Sequence, residues 1–171
     1  RPIADFPPTT LRSRTVCSRS ARADVSAMLT RGVYVGAMTR TGRCLCGNVS
    51  YELDGDLMAT AVCHCEHCQR QSGGAFSTNL IANVAQLTIT KGELKTYEDR
   101  GRTGDAVYVL RRFCGDCGSP IVSELMEPEG LIAVKAGTLD DRSQVEPNVQ
   151  AWCVDKQPWV DLGELHAMDR E

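Results

Sequence analysis

The fold of this chain is decided by one segment, Cys44-Leu45-Cys46-Gly47-Asn48-Val49-Ser50-Tyr51-Glu52-Leu53, which joins a cysteine pair to an alternating apolar pattern. In an extended backbone successive side chains point to opposite faces, so Cys44 and Cys46 share one face. The alternation of Val49, Tyr51 and Leu53 with polar residues is typical of a half-buried β-strand. The segment therefore predicts a cysteine-bearing hairpin in a β-rich domain.

Two further cysteine clusters lie downstream, at Cys63-His64-Cys65-Glu66-His67-Cys68 and Cys114-Gly115-Asp116-Cys117, so that seven of the nine cysteines are clustered. A closed structural zinc site takes four protein ligands, whereas a reactive site takes three and keeps one position open. The pairs Cys44/Cys46 and Cys114/Cys117 predict a closed four-thiolate site. The trio Cys63, Cys65 and Cys68 predicts a second zinc that is available for chemistry.

The two histidines of the middle cluster are the local candidates for a fourth ligand. In an extended segment His64 alternates away from Cys63 and Cys65, so its ring should point to the other face of the strand. His67 adjoins Cys68 and would project about 100° away from it around a helix. Three thiolates with an open position is therefore the favoured interpretation, although neither histidine is excluded by spacing alone.

The rest of the chain after Thr41 has the pattern of a β protein. Short β-branched or aromatic runs alternate with glycine-containing breaks, and the only short helix that the pattern indicates is Glu66–Ser72. We expect an all-β domain, built as a twisted sandwich or folded-over sheet on zinc-bearing hairpins. The predicted strands after the first are 75–82, 86–90, 94–97, 106–113, 121–123, 131–136 and 149–154.

Composition limits the classes of function. The 171 residues suit one domain, and a hydrophobic content of 42% is enough for an ordinary core. Residues 1–43 carry eight Arg and two Asp, a net charge of +6, so the remainder carries -9 of the total of -3. An acidic body disfavours phosphate backbones, which counts against nucleic-acid binding by the folded part. No apolar run approaches the length of a membrane span, so we expect no membrane association.

Residues 1–37 differ from the rest of the chain, because they are rich in Arg, Ser, Thr and Pro and lack strand or helix periodicity. We expect them to be a disordered or non-native N-terminal extension, with the zinc-binding domain at 38–171 and a natural start at Met38. An organelle transit peptide is the alternative for such an Arg- and Ser-rich leader. No secretory signal is visible, so we expect a cytoplasmic protein.

The clustered cysteines have three competing interpretations. Disulfides would require an oxidising compartment. A thioredoxin-like redox pair at Cys65 and Cys68 would require a βαβ context that the pattern lacks. Purely structural zinc at both sites is the main competitor, because most cysteine clusters at this spacing stabilise folds. Cys153 lies outside the clusters and is interpreted as a small buried core residue.

Four ordered motifs resemble one known family: residues 42–51, 63–70, 113–118 and 137–141. Together they are similar to the glutathione-dependent formaldehyde-activating enzymes, a family that also includes centromere protein V, over roughly residues 40–162. The resemblance implies a β-rich Mss-type complex fold. It also implies a structural zinc on Cys44, Cys46, Cys114 and Cys117 and a catalytic zinc on Cys63, Cys65 and Cys68, in agreement with the division reached from spacing.

The resemblance implies a carbon–sulfur lyase that adds glutathione, or a related thiol, to formaldehyde or another small carbonyl compound, or runs the reverse reaction. Glutathione carries two carboxylates and needs cationic partners. Arg70 beside the trio is the first candidate, and Arg111 and Arg112 before the third cluster are further ones. The simpler interpretation of all three is that they are surface charges. Gln150 stands where family members often carry His, and Gln cannot titrate near neutrality. The alternative function is a non-catalytic zinc-binding β module for protein or nucleic-acid interaction.

Overall fold

The structure is a computed structural model that describes residues 38–102 and 104–169. The expectation of a separate extension at residues 1–37 lies outside the described residues. Within them the chain forms eleven strands and one α-helix, which confirms the all-β prediction. The strands are β1 Arg40–Arg43, β2 Ser50–Leu53, β3 Ala59–Cys63, β4 Ser77–Asn83, β5 Leu87–Lys91, β6 Leu94–Asp99, β7 Val109–Cys114, β8 Pro120–Leu125, β9 Leu131–Lys135, β10 Val149–Ala151 and β11 His166–Ala167, and the helix is α1 Glu66–Ser72.

Two sheets share these strands. The small sheet has the order β1-β2-β5, and the large sheet has the order β11-β10-β3-β4-β9-β8-β7-β6. Most neighbours are antiparallel, but β10 runs parallel to both β3 and β11. The helix α1 is only seven residues long, and no helix among the described residues has the length and hydropathy of a membrane span.

The hydrophobic core lies between the two sheets. Tyr51 and Leu53 of β2, and Val49 just before it, are each at most 1% exposed, as the alternating pattern predicted. They pack in one cluster with apolar residues of the large sheet, including Leu80, Ile121, Val122, Ile132 and Val134. Burial of this apolar surface is the main stabilising contribution of the domain.

The opposite face of the large sheet is polar and carries the helix. In antiparallel pairs, directly opposed residues project to the same face. Ser77 on β4 opposes Cys63, and Asn79 opposes Lys135 on β9. Further along the same face, Arg111 on β7 opposes Ser123 on β8. Buried polar and charged side chains therefore run across this face from Cys63 to Arg111.

Candidate metal centre

The first cysteine group joins two hairpins. Cys44 and Cys46 lie in the loop between β1 and β2, while Cys114 ends β7 and Cys117 lies in the turn before β8. Their four sulfur atoms lie within 4.8 Å of one another. The Cys44 and Cys46 sulfurs are 3.5 Å apart, and the Cys46 and Cys114 sulfurs are 3.8 Å apart. These separations bring together the two cysteine pairs that the sequence predicted to form one site.

Hydrogen bonds around this group favour the thiolate form at Cys44 and Cys117. At Cys46 a hydrogen bond with the Asn48 backbone acts to lower the pKa, but the hydrogen bond with Cys44 and burial raise it to about 12. The Val49 backbone N–H donates to Cys44 Sγ over 3.2 Å. Hydrogen bonds with the hydroxyl and backbone of Ser119 lower the pKa of Cys117 to about 5. Donors that point at sulfur stabilise its negative charge. The loops thus supply both the cysteine sulfurs and hydrogen-bond donors to them.

The second cysteine group is local. Cys63 ends β3, Cys65 caps the helix, and Cys68 lies in the first turn of α1. The Cys68 backbone N–H donates to Cys65 Sγ over 3.3 Å, so the same sulfur serves as the helix cap. The three sulfurs lie within 4.8 Å of one another. Among the described residues no fourth His, Cys, Asp or Glu joins this group.

The two neighbouring histidines are bound elsewhere. His64 is fully buried and its Nε2 donates to Gln150 Oε1 over 3.3 Å, and Lys156 Nζ donates to the same oxygen over 3.0 Å. His67 Nδ1 lies 2.8 Å from Asp99 Oδ1. His64 therefore points away from the cysteines, as strand alternation predicted, and Gln150 serves as an acceptor for two donors.

A buried ion pair lies beside Cys68. Arg111 Nε donates to Asp99 Oδ2 over 2.6 Å, and Arg111 Nη1 donates to Gln71 Oε1 over 2.8 Å. The same Nη1 atom lies 4.0 Å from Cys68 Sγ. Arg111 is 7% exposed, so the interpretation of this residue as a surface charge is wrong.

The sulfurs of the trio differ in proton affinity. Hydrogen bonds from the Cys63 and Cys65 thiols, with the nearby positive charges of Lys135 and Arg111, lower the pKa of Cys68 to about 2. The hydrogen bonds with Cys65 and Cys68 raise the pKa of Cys63. Within the trio the thiolate form is therefore favoured most at Cys68. A metal ion would have to displace the remaining protons.

Arg70, the predicted substrate-binding residue, lies on the outer surface of α1. It forms an ion pair with Glu66, in which Arg70 Nη2 and Glu66 Oε1 are 2.5 Å apart, and its side chain is 77% exposed. No contact of Arg70 with the cysteine sulfurs is seen among the described residues. Its role toward a ligand stays a prediction.

Sequence reasoning missed Lys135, Asp99 and Asn79 on the buried polar face. The available sequence signal for Lys135 was a lysine at the end of the apolar run 131–135. In the structure β9 pairs with β4, so that the Lys135 side chain projects to the face of the sheet that carries the cysteines. Asp99 carried no comparable local signal. Its partner Arg111 is twelve residues away on the neighbouring strand.

One cavity lies apart from both cysteine groups. It encloses about 630 Å³ beside β1 and is lined by residues that include Arg40, Leu57, Leu80, Asp140 and Val145. None of the seven clustered cysteines lines it. The geometry therefore gives no reason to place sulfur chemistry there.

The fold and the two sulfur groups together define an all-β protein with thiol-rich sites that can hold metal ions. The model of the glutathione-dependent formaldehyde-activating enzyme family matches residues 39–155, which is more than half of the chain. The chain belongs to this family.

The solved structures and the curated proteins give different results. The fold is similar to the crystal structure of a Rhodobacter sphaeroides protein, with a TM-score of 0.50 and 22% identity over 75% of this chain and 99% of that one. At this identity the likeness supports the fold alone. No curated protein gives a match.

Proposed function

We propose that this protein is a zinc-dependent carbon–sulfur lyase that adds glutathione, or a related thiol, to formaldehyde or another small carbonyl compound, or catalyses the reverse reaction. One observation carries the proposal: within the described ranges, the sulfurs of Cys63, Cys65 and Cys68 converge without a fourth protein ligand. Membership of a family named for glutathione and formaldehyde supports the same chemistry.

The donor sets fit zinc. Both groups offer only thiol sulfur, and soft thiolate ligands select zinc over the hard cations that prefer oxygen. Cys44, Cys46, Cys114 and Cys117 would hold a closed structural ion. Cys63, Cys65 and Cys68 would hold the second ion, which would supply a positive charge that lowers the pKa of an incoming thiol.

The proposed reaction forms a C–S bond and an O–H bond, and it breaks the S–H bond of the thiol and the π bond of the carbonyl. The thiol sulfur adds to the carbonyl carbon, the π electrons of the carbonyl move to its oxygen, and the thiol proton ends on that oxygen. The product is an S-hydroxyalkyl thioether, and the reverse reaction releases the thiol and the carbonyl compound. Because thiols add to formaldehyde readily, the protein needs to contribute mainly activation and orientation.

The surrounding side chains have separate roles in this proposal. Asp99 and Gln71 hold the Arg111 guanidinium next to Cys68, where its positive charge favours thiolate. Arg70 on the exposed face of α1 is the proposed partner of a glutathione carboxylate, for which it would exchange its pairing with Glu66. The Glu66 pair is exposed and so costs little to break.

The test is a measurement of the addition rate. The zinc-loaded full chain is mixed with glutathione and formaldehyde at equilibrium, and the exchange between free and added thiol is followed by NMR. We expect exchange faster than in buffer, loss of this acceleration in Cys68→Ser, and its retention in Cys153→Ala. Cys153 is a matched control because it is buried but belongs to neither sulfur group.

Two results would overturn the proposal. One is a zinc-loaded wild-type protein that accelerates exchange with neither formaldehyde nor a panel of small aldehydes. The other is a fourth protein ligand on the ion held by Cys63, Cys65 and Cys68, which would leave the non-catalytic zinc module as the function.

A further inference from the structure

Lys135 is a buried cation that forms no ion pair with any described carboxylate. It is 6% exposed, and its Nζ donates to Asn79 Oδ1 over 2.9 Å and to Ser77 Oγ over 3.4 Å. Both acceptors are uncharged. Lysine is almost never fully buried unless it is paired. The buried Lys135 ammonium therefore needs a negatively charged group other than a carboxylate nearby.

The strand register directs Lys135 toward the cysteine trio. Lys135 opposes Asn79 across β9 and β4, and Ser77, two residues earlier on β4, opposes Cys63. All four side chains therefore project to the same face of the large sheet. Burial and the positive charge of Arg111 lower the pKa of Lys135, while the negative charges of Cys68, Cys63 and Cys65 act in the opposite direction. Sulfur is thus the nearby source of negative charge.

The formal charges around the trio balance when Lys135 is counted. Arg111 is matched by the Asp99 carboxylate, with which it forms a buried ion pair. Three thiolates and one divalent ion carry a net charge of -1. Lys135 contributes +1, so the buried centre as a whole is neutral. Without Lys135, a net negative charge would be left in a largely buried site, which is unfavourable.

We propose that Lys135 is a positioning residue whose ammonium is the counter-charge of a zinc ion held by Cys63, Cys65 and Cys68. The inference rests on the proposed function only in requiring zinc at the trio. Lys135 would act through the sulfurs and touch neither substrate. The Lys135 charge would also favour the thiolate form of the thiol co-substrate. One divalent ion with four thiolates carries a charge of -2, and the ammonium of Lys135 would reduce the charge of the centre to -1.

The test is zinc retention, which does not depend on activity. The zinc-loaded full chain is titrated with a chelator, and zinc release from the two sites is followed together with zinc content by mass spectrometry. Outer-shell partners of metal ligands typically change metal affinity about 10- to 100-fold. We expect Lys135→Met to weaken zinc binding at the trio by that factor, with the four-cysteine site unchanged. We expect Lys135→Arg, which keeps the positive charge, to bind zinc at the trio more tightly than Lys135→Met and less tightly than the wild type.

Lys91→Met is the matched control. It removes the same charge from an exposed lysine, whose Nζ donates to the Gly47 carbonyl oxygen beside the four-cysteine group over 2.7 Å. We expect it to leave zinc at the trio unchanged. If Lys135→Met does not fold, Lys135→Gln carries the same test, because it removes the charge but can still hydrogen-bond to Asn79.

The outcomes separate the two proposals. If the wild-type protein binds no zinc at Cys63, Cys65 and Cys68, both proposals fail together. If the wild-type protein binds two and the neutral variants keep both with unchanged affinity, the role of Lys135 is wrong while the proposed function stands. If the neutral variants weaken both sites equally, Lys135 has only a general structural role and the inference is also wrong.

Discussion

Arg111 and Asp99 form a buried ion pair on the polar face of the large sheet, with Nε and Oδ2 2.6 Å apart. Both members of the pair have further hydrogen-bond partners. Asp99 lies within hydrogen-bonding distance of His67 and accepts from the Gly101 backbone N–H, and Arg111 donates to Gln71. Because both charges are desolvated, each depends on the other for its stability. This relationship fixes the guanidinium next to Cys68.

Removing one member of this pair should be costly. We expect Arg111→Met to lower the free energy of unfolding by about 3–5 kcal/mol, because it leaves the Asp99 carboxylate buried without its main partner. Urea denaturation of the zinc-loaded protein measures this. The matched control is Arg112→Met, which removes the half-exposed pair with Glu124 and should cost about 1 kcal/mol or less. Equal losses in the two variants would contradict the prediction.

The two cysteine groups should differ in what their loss does to the fold. Cys114 belongs to the group that joins two hairpins, so we expect Cys114→Ser to abolish cooperative thermal unfolding. Cys68 belongs to the local trio, and we expect Cys68→Ser to keep a cooperative transition and to bind one zinc per chain. Calorimetry and metal analysis check both statements. A cooperative transition in Cys114→Ser with one bound zinc would contradict the prediction.

Gly42 allows β1 to approach β2 closely. A Cβ at Gly42 would overlap the Tyr51 ring and the Thr138 carbonyl oxygen, and Tyr51 is 1% exposed and cannot move aside. We expect Gly42→Ala to lower the free energy of unfolding by about 1–3 kcal/mol, the usual cost of overpacking. Gly137→Ala is the matched control, since its Cβ would meet no heavy atom within 4 Å and should have little effect. Denaturant titration of both variants decides the point.

The Tyr51 hydroxyl should make the free energy of unfolding depend on pH in the alkaline range. Burial raises the pKa of Tyr51 from 10.0 to about 12, and its hydroxyl lies 2.7 Å from Thr138 Oγ1. A group whose pKa is higher in the folded than in the unfolded state contributes stability that is fully present below the pKa of the unfolded state. This contribution is lost as the pH rises through the pKa of the folded state. We therefore expect the unfolding free energy to fall between pH 10 and 12.

The variant Tyr51→Phe isolates this contribution. It should lower the free energy of unfolding by about 1 kcal/mol near neutral pH, because it removes a buried hydrogen bond. It should also make the dependence on pH between 10 and 12 less steep than in the wild type. Parallel slopes in wild type and variant would mean that Tyr51 does not titrate in this range.

Local features of the fold could be predicted from the sequence. The helix Glu66–Ser72 has the bounds that the pattern indicated, and the alternation at 49–53 correctly gave the inward face of β2. The grouping of Cys63, Cys65 and Cys68 followed from spacing, because ligands on a strand or in one helical turn have fixed relative directions. In these cases the determining interactions lie within a few residues.

Long-range pairing could not be predicted. The parallel pairing of β10 with β3 joins Ala151 to Cys63, and no local pattern reports such a partner. The predicted strand at 149–154 ends early, because Trp152 has a φ of 56° and a 3-10 turn follows at Cys153–Asp155. Left-handed backbone is uncommon at residues other than Gly, Asn and Asp, so a tryptophan there carries no sequence signal.

The two sulfur groups also differ in when they are completed during synthesis. The trio closes within six consecutive residues, whereas the four-cysteine group is completed only at Cys117, which follows Cys68 by 49 residues. The trio therefore leaves the ribosome well before Cys114 and Cys117, the partners of Cys44 and Cys46, have been synthesised. During synthesis the local trio is therefore complete first, and the group that joins the two hairpins is complete second.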